Sequence, residues 1–390
     1  MSPRTSVVWT PEFLRYQLSD DHPLNPVRLD LTMRLATELG VLDGVETVEP
    51  EPATEEDLLR VHEPGYLSAV RSAPEMPFDV GHGLGTDDNP IFFGMHEASA
   101  LICGGSLRAA REIAEGRADR AVNIAGGLHH AMPGRAAGFC VYNDCAVAIA
   151  WLLEQGYERI AYVDVDVHHG DGVQTMFYDD PRVMTVSLHQ HPLTLWPGTG
   201  WPAELGKGRG EGYSVNIPLP PGTGDAGWQR AFHAVVPSLL DEFRPQILVS
   251  ECGADAHSED PLANLELSVD GQRATYRAMR ELAERTSGGK WLILGGGGYA
   301  LFRVVPRAWT HLLATALDRD LEPATPLPAS WISHATTLTR RPLPVAMTDD
   351  ADPAWTPWGD GVTDRVDGAV LDTRRAVFPL HGLDPDDPRD

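Results

Sequence analysis

Two hydrophobic patterns take turns along this chain. Short runs of β-branched and aliphatic residues, AVNIA (121–125), RIAYVDVDV (159–167), VMTVSL (183–188), QILVSE (246–251) and WLIL (291–294), are bounded by glycine, proline or charge and predict strands. Between them, apolar residues recur every three or four positions. Trp228, Phe232, Val235, Val236, Leu239, Leu240 and Phe243 put one apolar face on a helix, and Leu31, Leu35 and Leu39 do the same near the N-terminus. Strands apolar almost throughout, alternating with amphipathic helices, predict a mainly parallel central sheet covered on both faces, a three-layer α/β/α fold. From about residue 320 the pattern changes: LEPATPLPASW and DPAWTPWGD are rich in proline and tryptophan, and the chain ends in LDPDDPRD. The expected organisation is a main domain over 1–320 and an extension over 321–390, laid on that domain and ending in a frayed acidic tail.

Composition narrows the classes. The 390 residues, 42% apolar and 22% charged, suffice for a sizeable core. A net charge of −25 argues against a nucleic-acid groove or an anionic membrane surface, and at long range favours a cationic partner. Cys103, Cys140, Cys145 and Cys252 form no CxxC pair, which argues against a cysteine zinc module; scattered thiols point to the cytoplasm. The N-terminal MSPRTSVVWTPEFL lacks a basic region followed by an apolar run, so no signal peptide is expected. No apolar run approaches the roughly 18 residues that cross a bilayer. Nothing in the pattern sets an oligomeric state.

The chemistry gathers after the strands. AVNIA leads into GGLHHAMPGRAAGFCVYND, AYVDVDV into HHGDG, QILVSE into CGADAH, and WLIL into GGGGY. In open parallel sheets, ligands bind outside the carboxyl ends of the strands. If the strand runs through 167, Asp164, Asp166 and His168 share one face and Val163, Val165 and Val167 the other. Buried carboxylates are costly unless paired or bound to a cation. Asp166 and His168 supply an oxygen and a nitrogen ligand, and Asp255 is placed for a third. Two carboxylates and one imidazole leave a coordination position open, as a catalytic zinc needs, and the set also accepts Fe(II) or Mn(II). Singly, each piece has a plainer explanation: a turn, two surface histidines, a tight connection before Tyr299, a helix cap at Asp255. At the ends of separate strands of one sheet they make coincidence improbable.

In order and spacing, GGLHHAMPGRAAGFCVYND, VDVDVHHGDGVQ, VMTVSLH, WPGTG, ECGAD, DPLANLELS and LGGGGY resemble the zinc-dependent histone deacetylase family of the arginase-like fold, over residues 8 to at least 315. RYQLSDDHPLNPVRLDLT and DAHSEDPLANLELS are most similar to its bacterial acetoin-utilisation branch. The resemblance implies that Asp166, His168 and Asp255 hold Zn2+ (or Fe2+) and that Tyr299 is the catalytic tyrosine. His129 and His130 match the tandem active-site histidines, oriented by Asp164 and Asp171. Asp88, Gly138, Phe139, Trp196, Leu262 and Gly297 match substrate contacts, and Arg28 an internal-channel arginine below the metal. A structural K+ or Na+ is implied at an inner site of Asp164, Asp166, His168, Ser187 and Leu188, and at an outer one of Phe177, Asp180, Val183 and Tyr213.

The implied activity is hydrolysis of the acetyl amide of N6-acetyl-lysine in proteins, with acetyl-CoA synthetase the branch's expected target. His130 is expected to serve as base and acid, and His129 as an electrostatic or relay partner. The alternatives are a deacetylase of small acetylated amines such as acetylpolyamines, and a non-catalytic acyl-lysine-binding regulatory protein. Two residues depart from the family pattern: Glu251 stands where glutamine is usual, and Trp196 where phenylalanine is more usual. His169, His189, His191 and His257 are read as structural.

Overall fold

The computed structural model describes residues 3–76, 81–359 and 363–390, so Met1, Ser2 and the last residue of DPAWTPWGD lie outside it. Its strands are β1 (Thr5–Val8), β2 (Thr47–Val48), β3 (Arg120–Asn123), β4 (Ile160–Asp164), β5 (Val183–Gln190), β6 (Ser214–Leu219), β7 (Ile247–Glu251) and β8 (Trp291–Leu294). They form one sheet in the order β2-β1-β3-β8-β7-β4-β5-β6, and every pairing is parallel. Helices flank it, as the pattern predicts. The strands β3, β8, β7 and β4 are buried at every position, which is why their sequences are apolar almost throughout. These four are also contiguous in the sheet, so the four chemistry-bearing loops emerge side by side.

One strand ends earlier than its sequence suggests. β4 stops at Asp164; beyond it the chain turns while keeping two isolated bonds to its neighbours, Val165 N–H to the Glu251 carbonyl at 3.1 Å and the Gln190 amide to the Val167 carbonyl at 2.9 Å. The cause lies in the aspartates. Asp164 accepts from the Asp166 amide at 3.1 Å, and Asp166 accepts from the His168 amide at 2.9 Å. Each is an aspartate side chain bonding the backbone two residues on, the local device that replaces a strand ladder with a turn. Asp166 and His168 therefore stand on a turn beyond the strand, not on its face.

The predicted helix around 228–243 runs Asp225–Phe243 and buries all seven of its apolar positions. Leu31 and Leu35 are buried on the helix Val27–Glu38; Leu39 caps it. These leucines form a separate small core with Leu327, Trp331, Ala335 and Met347 of the extension, and the Trp331 indole donates to the Leu31 carbonyl at 2.9 Å. The acidic tail, expected to fray, is folded back: buried Arg374 donates to the carbonyls of Asp384, Pro385, Asp387 and Asp390 and lies over Trp358 and Phe378. The four cysteines are buried and unpaired, and no described helix is long and apolar enough to cross a membrane.

Candidate active site

The loop after β3 is held by polar groups from distant parts of the chain. Asp144 accepts from the amides of Gly127 and Leu128 and from Ser106. Asn143 caps the helix Asp144–Glu154 through the Ala146 amide and donates to the carbonyls of His129 and Ala131. His62 completes this frame: its Nδ1 donates to the Met132 carbonyl at 3.0 Å and its Nε2 accepts from the Asn143 amide at 3.0 Å. None of these residues was singled out from the sequence. Burial pushes His62 down to about 4, against the pull of nearby carbonyls.

The unfolded chain binds a proton at His62 near 6.5, which the folded chain refuses until about 4. This stability is present above pH 6.5 and is lost as pH falls; by pH 5 the loss is about 2 kcal/mol. Urea unfolding at pH 7 and pH 5 should show a larger acid loss in the wild type than in His62→Gln, which cannot titrate there.

The tandem histidines meet different carboxylates. His129 Nδ1 donates to Asp164 Oδ2 at 2.7 Å, and His130 Nδ1 donates to Asp171 Oδ1 at 2.7 Å. Their Nε2 atoms are 3.0 Å apart, so they share one proton. Burial lowers both imidazoles, but at His129 the charges of Asp164 and Asp166 outweigh it and lift the group to about 9. At His130, burial and then the charge of His129 hold the group at about 4, despite Asp171. The dyad thus pairs a protonated His129 with a neutral His130. Asp164 also accepts from Tyr162 at 2.7 Å, which fixes its orientation.

Beside the dyad, Asp166, His168 and Asp255 converge. His168 Nδ1 lies 3.1 Å from Asp166 Oδ1 and 3.2 Å from Asp255 Oδ2. All three residues are buried. The outer oxygens are pinned from behind, Asp166 Oδ2 by the Gly297 amide at 2.7 Å and Asp255 Oδ1 by the Val167 amide at 2.9 Å. The inner atoms face one another, the arrangement a cation needs. Gly297 lies against these carboxylates: a Cβ there would fall 2.0 Å from Asp255 Oδ2. Two oxygens and one imidazole nitrogen fit a divalent metal of the zinc or iron type.

Above the triad opens a tunnel of about 300 Å³, lined by Asp88, His130, Gly138, Phe139, His168, Leu195, Trp196, Leu262 and Tyr299. Leu195 was not anticipated; its place beside Trp196 in the sequence is the only signal for it. Trp196 meets His130 edge-on at 4.6 Å between centroids, and Phe139 meets Tyr299 at 5.6 Å. Gly138 and Phe139 both adopt positive φ, 52° and 69°. A Cβ on Gly138 would come within 2.5 Å of the His130 ring, so only glycine lets the chain pass this closely. The Tyr299 amide donates to Asp260 at 2.8 Å, and Asp260 also accepts from Leu262 at 3.0 Å. Burial and then Asp255 and Asp166 push the Tyr299 phenol well above its usual range, so it remains a proton donor.

A model of the histone deacetylase domain matches residues 22–316. The chain belongs to the histone deacetylase family. It is 41% identical over 349 residues to the acetoin utilization protein AcuC of Bacillus subtilis (strain 168), covering 88% of this chain and 90% of that one. It is 36% identical over 356 residues to the AcuC of Staphylococcus xylosus, covering 90% and 92%. A crystal structure of an HDAC homologue from Aquifex aeolicus superposes with a TM-score of 0.83 at 30% identity, covering 95% of this chain and 99% of that one. An HDAC homologue complexed with SAHA matches equally well, at a TM-score of 0.83 and 30% identity over 96% and 100%.

Two features concern this family member's own residues. Glu251 is fully buried; its Oε2 accepts from the Gly253 amide at 2.9 Å, while Oε1 has no hydrogen-bond partner among the described residues. Burial and then Asp164 and Asp166 push its carboxyl well up. His129, Asp166 and Glu251 also cluster closely enough for a cation, but Asp164 and His130 already engage both nitrogens of His129. Arg28 is buried below, donating to the Gly298 carbonyl at 3.1 Å and lying over Trp309 at 4.9 Å.

The implied monovalent-cation residues fall in two groups. Of the inner group, Ser187 pairs in register with Asp164 across β4 and β5, and Leu188 follows it on β5. Phe177, Asp180 and Val183 share one turn, and Tyr213 joins it through the Thr185 amide. The carboxylate of Asp180 is engaged by Arg182, and its backbone carbonyl accepts from the Val183 amide at 3.2 Å. His169, His189 and His257 bond Thr199 and Gln174, Ser187 and Gly200, and Asp349 respectively, as structural histidines do.

Proposed function

We propose that this protein is a zinc-dependent deacetylase of N6-acetyl-lysine in protein substrates. The observation that carries the reading is the convergence of Asp166, His168 and Asp255 at the floor of a tunnel that also exposes a neutral histidine and a free tyrosine hydroxyl. These three residues would hold Zn2+, and Fe2+ suits the same donors. When bound, such a cation polarises the amide carbonyl and lowers the pKa of water toward about 7. K+ or Na+ at the two other groups would offset the charge of Asp164 and tie down the segment leading into β5.

The chain's own groups supply the rest. Neutral His130 takes the attacking water's proton at Nε2, while Asp171 holds the opposite nitrogen and steadies the imidazolium. The same proton then passes to the departing lysine amine. His129, kept charged by Asp164, stabilises the negative charge developing beside it. Tyr299 donates its hydroxyl to the oxyanion. Phe139 and Trp196 wall the slot against water and pack on an apolar four-carbon stem, whose charge acylation has removed. Asp88 at the rim would accept from the substrate backbone.

Tyr299→Phe keeps the ring that packs on Phe139 and removes only the donor. Turnover of an acetyl-lysine peptide should fall by about 10²–10³. Unchanged turnover would sink the oxyanion role. The relatives named for acetoin utilization support a substrate in acetyl metabolism, and acetylated acetyl-CoA synthetase is the one to assay first. Turnover of acetyl-lysine peptides and acetylpolyamines, with metal analysis of the same sample, separates this reading from a small-amine deacetylase and from a non-catalytic reader.

A further inference from the structure

Beside the tunnel lies a second cavity of about 180 Å³. Its walls include Glu259 and Pro261 after β7, Tyr299 and Arg303 after β8, and Thr339 and Arg341 of the extension. Tyr299 lines both cavities, and Pro261 and Leu262, adjacent in sequence, line one each. The second cavity thus adjoins the tunnel at Tyr299 as a pocket at its side.

Its charges do not cancel. Glu259 is committed to Arg303, with Nε to Oε2 at 2.5 Å and Nη2 to Oε1 at 2.9 Å. Arg303 also reaches the Pro342 carbonyl and so ties the extension to this wall. Arg341 and its neighbour Arg340 are exposed, and neither makes an ion pair among the described residues. In a chain of net charge −25, this pocket keeps uncompensated positive charge within reach of the catalytic tyrosine. A guanidinium with free donors matches a carboxylate in two parallel hydrogen bonds and repels an ammonium.

We propose that this side pocket is a specificity subsite, in which Arg341, with Arg340 beside it, receives an acidic side chain flanking the acyl-lysine of a protein substrate. The inference rests on the deacetylase reading above. The chain's overall field repels acidic partners at long range, so the preference arises at contact. It should therefore appear in KM and weaken with salt.

The test uses full-length enzyme loaded with zinc and a set of acetyl-lysine peptides. Members differ only by Glu, Gln or Lys at each position flanking the acetyl-lysine. At one or more positions, Glu should raise kcat/KM over Gln about two- to fivefold, the range of an exposed ion pair. In Arg340→Glu/Arg341→Glu, the order should invert to favour Lys; the ratio within one enzyme cancels any general loss of activity. If that variant fails to fold, the wild type still decides: its Glu preference should fade on going from low salt to about 0.5 M. Equal turnover of Glu and Gln peptides at every position would overturn the proposal, as would a preference unmoved by charge reversal or salt. Acetyl-lysine with blocked termini, which has no flanking residue, tests the parent reading separately. If the wild type leaves it intact along with every peptide, the deacetylase reading falls and the subsite with it.

Discussion

His130→Ala should lower kcat on an acetyl-lysine peptide by about 10²–10⁴, the range for losing a positioned acid–base group. KM should move little, because on the proposed reading Phe139 and Trp196, not His130, would grip the stem. Metal content should stay unchanged, because His130 lies outside the convergent donor set of Asp166, His168 and Asp255. The assignment follows from the two aspartates. Asp164 stands beside His129 together with Asp166 and, against burial, raises that imidazole to about 9, so near neutrality it is already protonated and has no lone pair to offer water. His130, with Asp171 alone, stays low at about 4 and enters the cycle neutral, its Nε2 lone pair facing the His129 Nε2 proton until water presents its own.

The two protons are coupled across 3.0 Å, so the comparison must include His129→Ala. That variant should retain more activity than His130→Ala. A larger loss at His129 would reverse the two roles. Asp171→Asn should fall between wild type and His130→Ala, since it removes the anion that supports the imidazolium but leaves the ring in place.

Much of this site was legible in the sequence because burial leaves few residues able to stand there. Strands β3, β4, β5, β7 and β8 are covered on both faces and had to be aliphatic, so their ends, and the loops that follow, could be found. Strands β1, β2 and β6 escaped for different reasons. β1 and β2 are short and partly exposed. β6 is an edge strand that tolerates Pro218, and its Ser214 and Asn216 side chains bond Gln174. Residues 165–167 were misread as strand because alternating valines signal a strand, whereas aspartates spaced two apart also bond their own backbone.

The frame behind the histidines was invisible for a different reason. His62 is 81 residues from Asn143, and no local pattern announces that pairing. Asn143 did carry a local signal, standing at the start of a helix as a cap. Asp260 carried another, as an aspartate that accepts from the amide two residues on. The four consecutive glycines look interchangeable in sequence; packing against Asp255 separates Gly297 from its neighbours.

Stripping the metal should abolish turnover and also weaken the fold. Asp164, Asp166, Glu251 and Asp255 are each at most 1% exposed, and their oxygens crowd one end of the sheet. Arg28 is the buried arginine beneath them, and its guanidinium is already engaged with the Gly298 carbonyl. Without a cation, burial and then Asp166 push Asp255 up to about 7, so the carboxylates must share protons to remain folded. A ligand that binds only the folded chain stabilises it by about 4 kcal/mol when free metal exceeds Kd a thousandfold. Calorimetry on loaded and chelator-treated protein should therefore show a lower Tm after stripping, recovered by adding Zn2+. Asp255→Asn keeps the side chain's volume and removes one buried charge. It should bind metal weakly and show a Tm that barely responds to chelator. A stripped wild type with undiminished Tm would mean that protons satisfy these carboxylates as well as a cation does, and that the metal serves the chemistry alone.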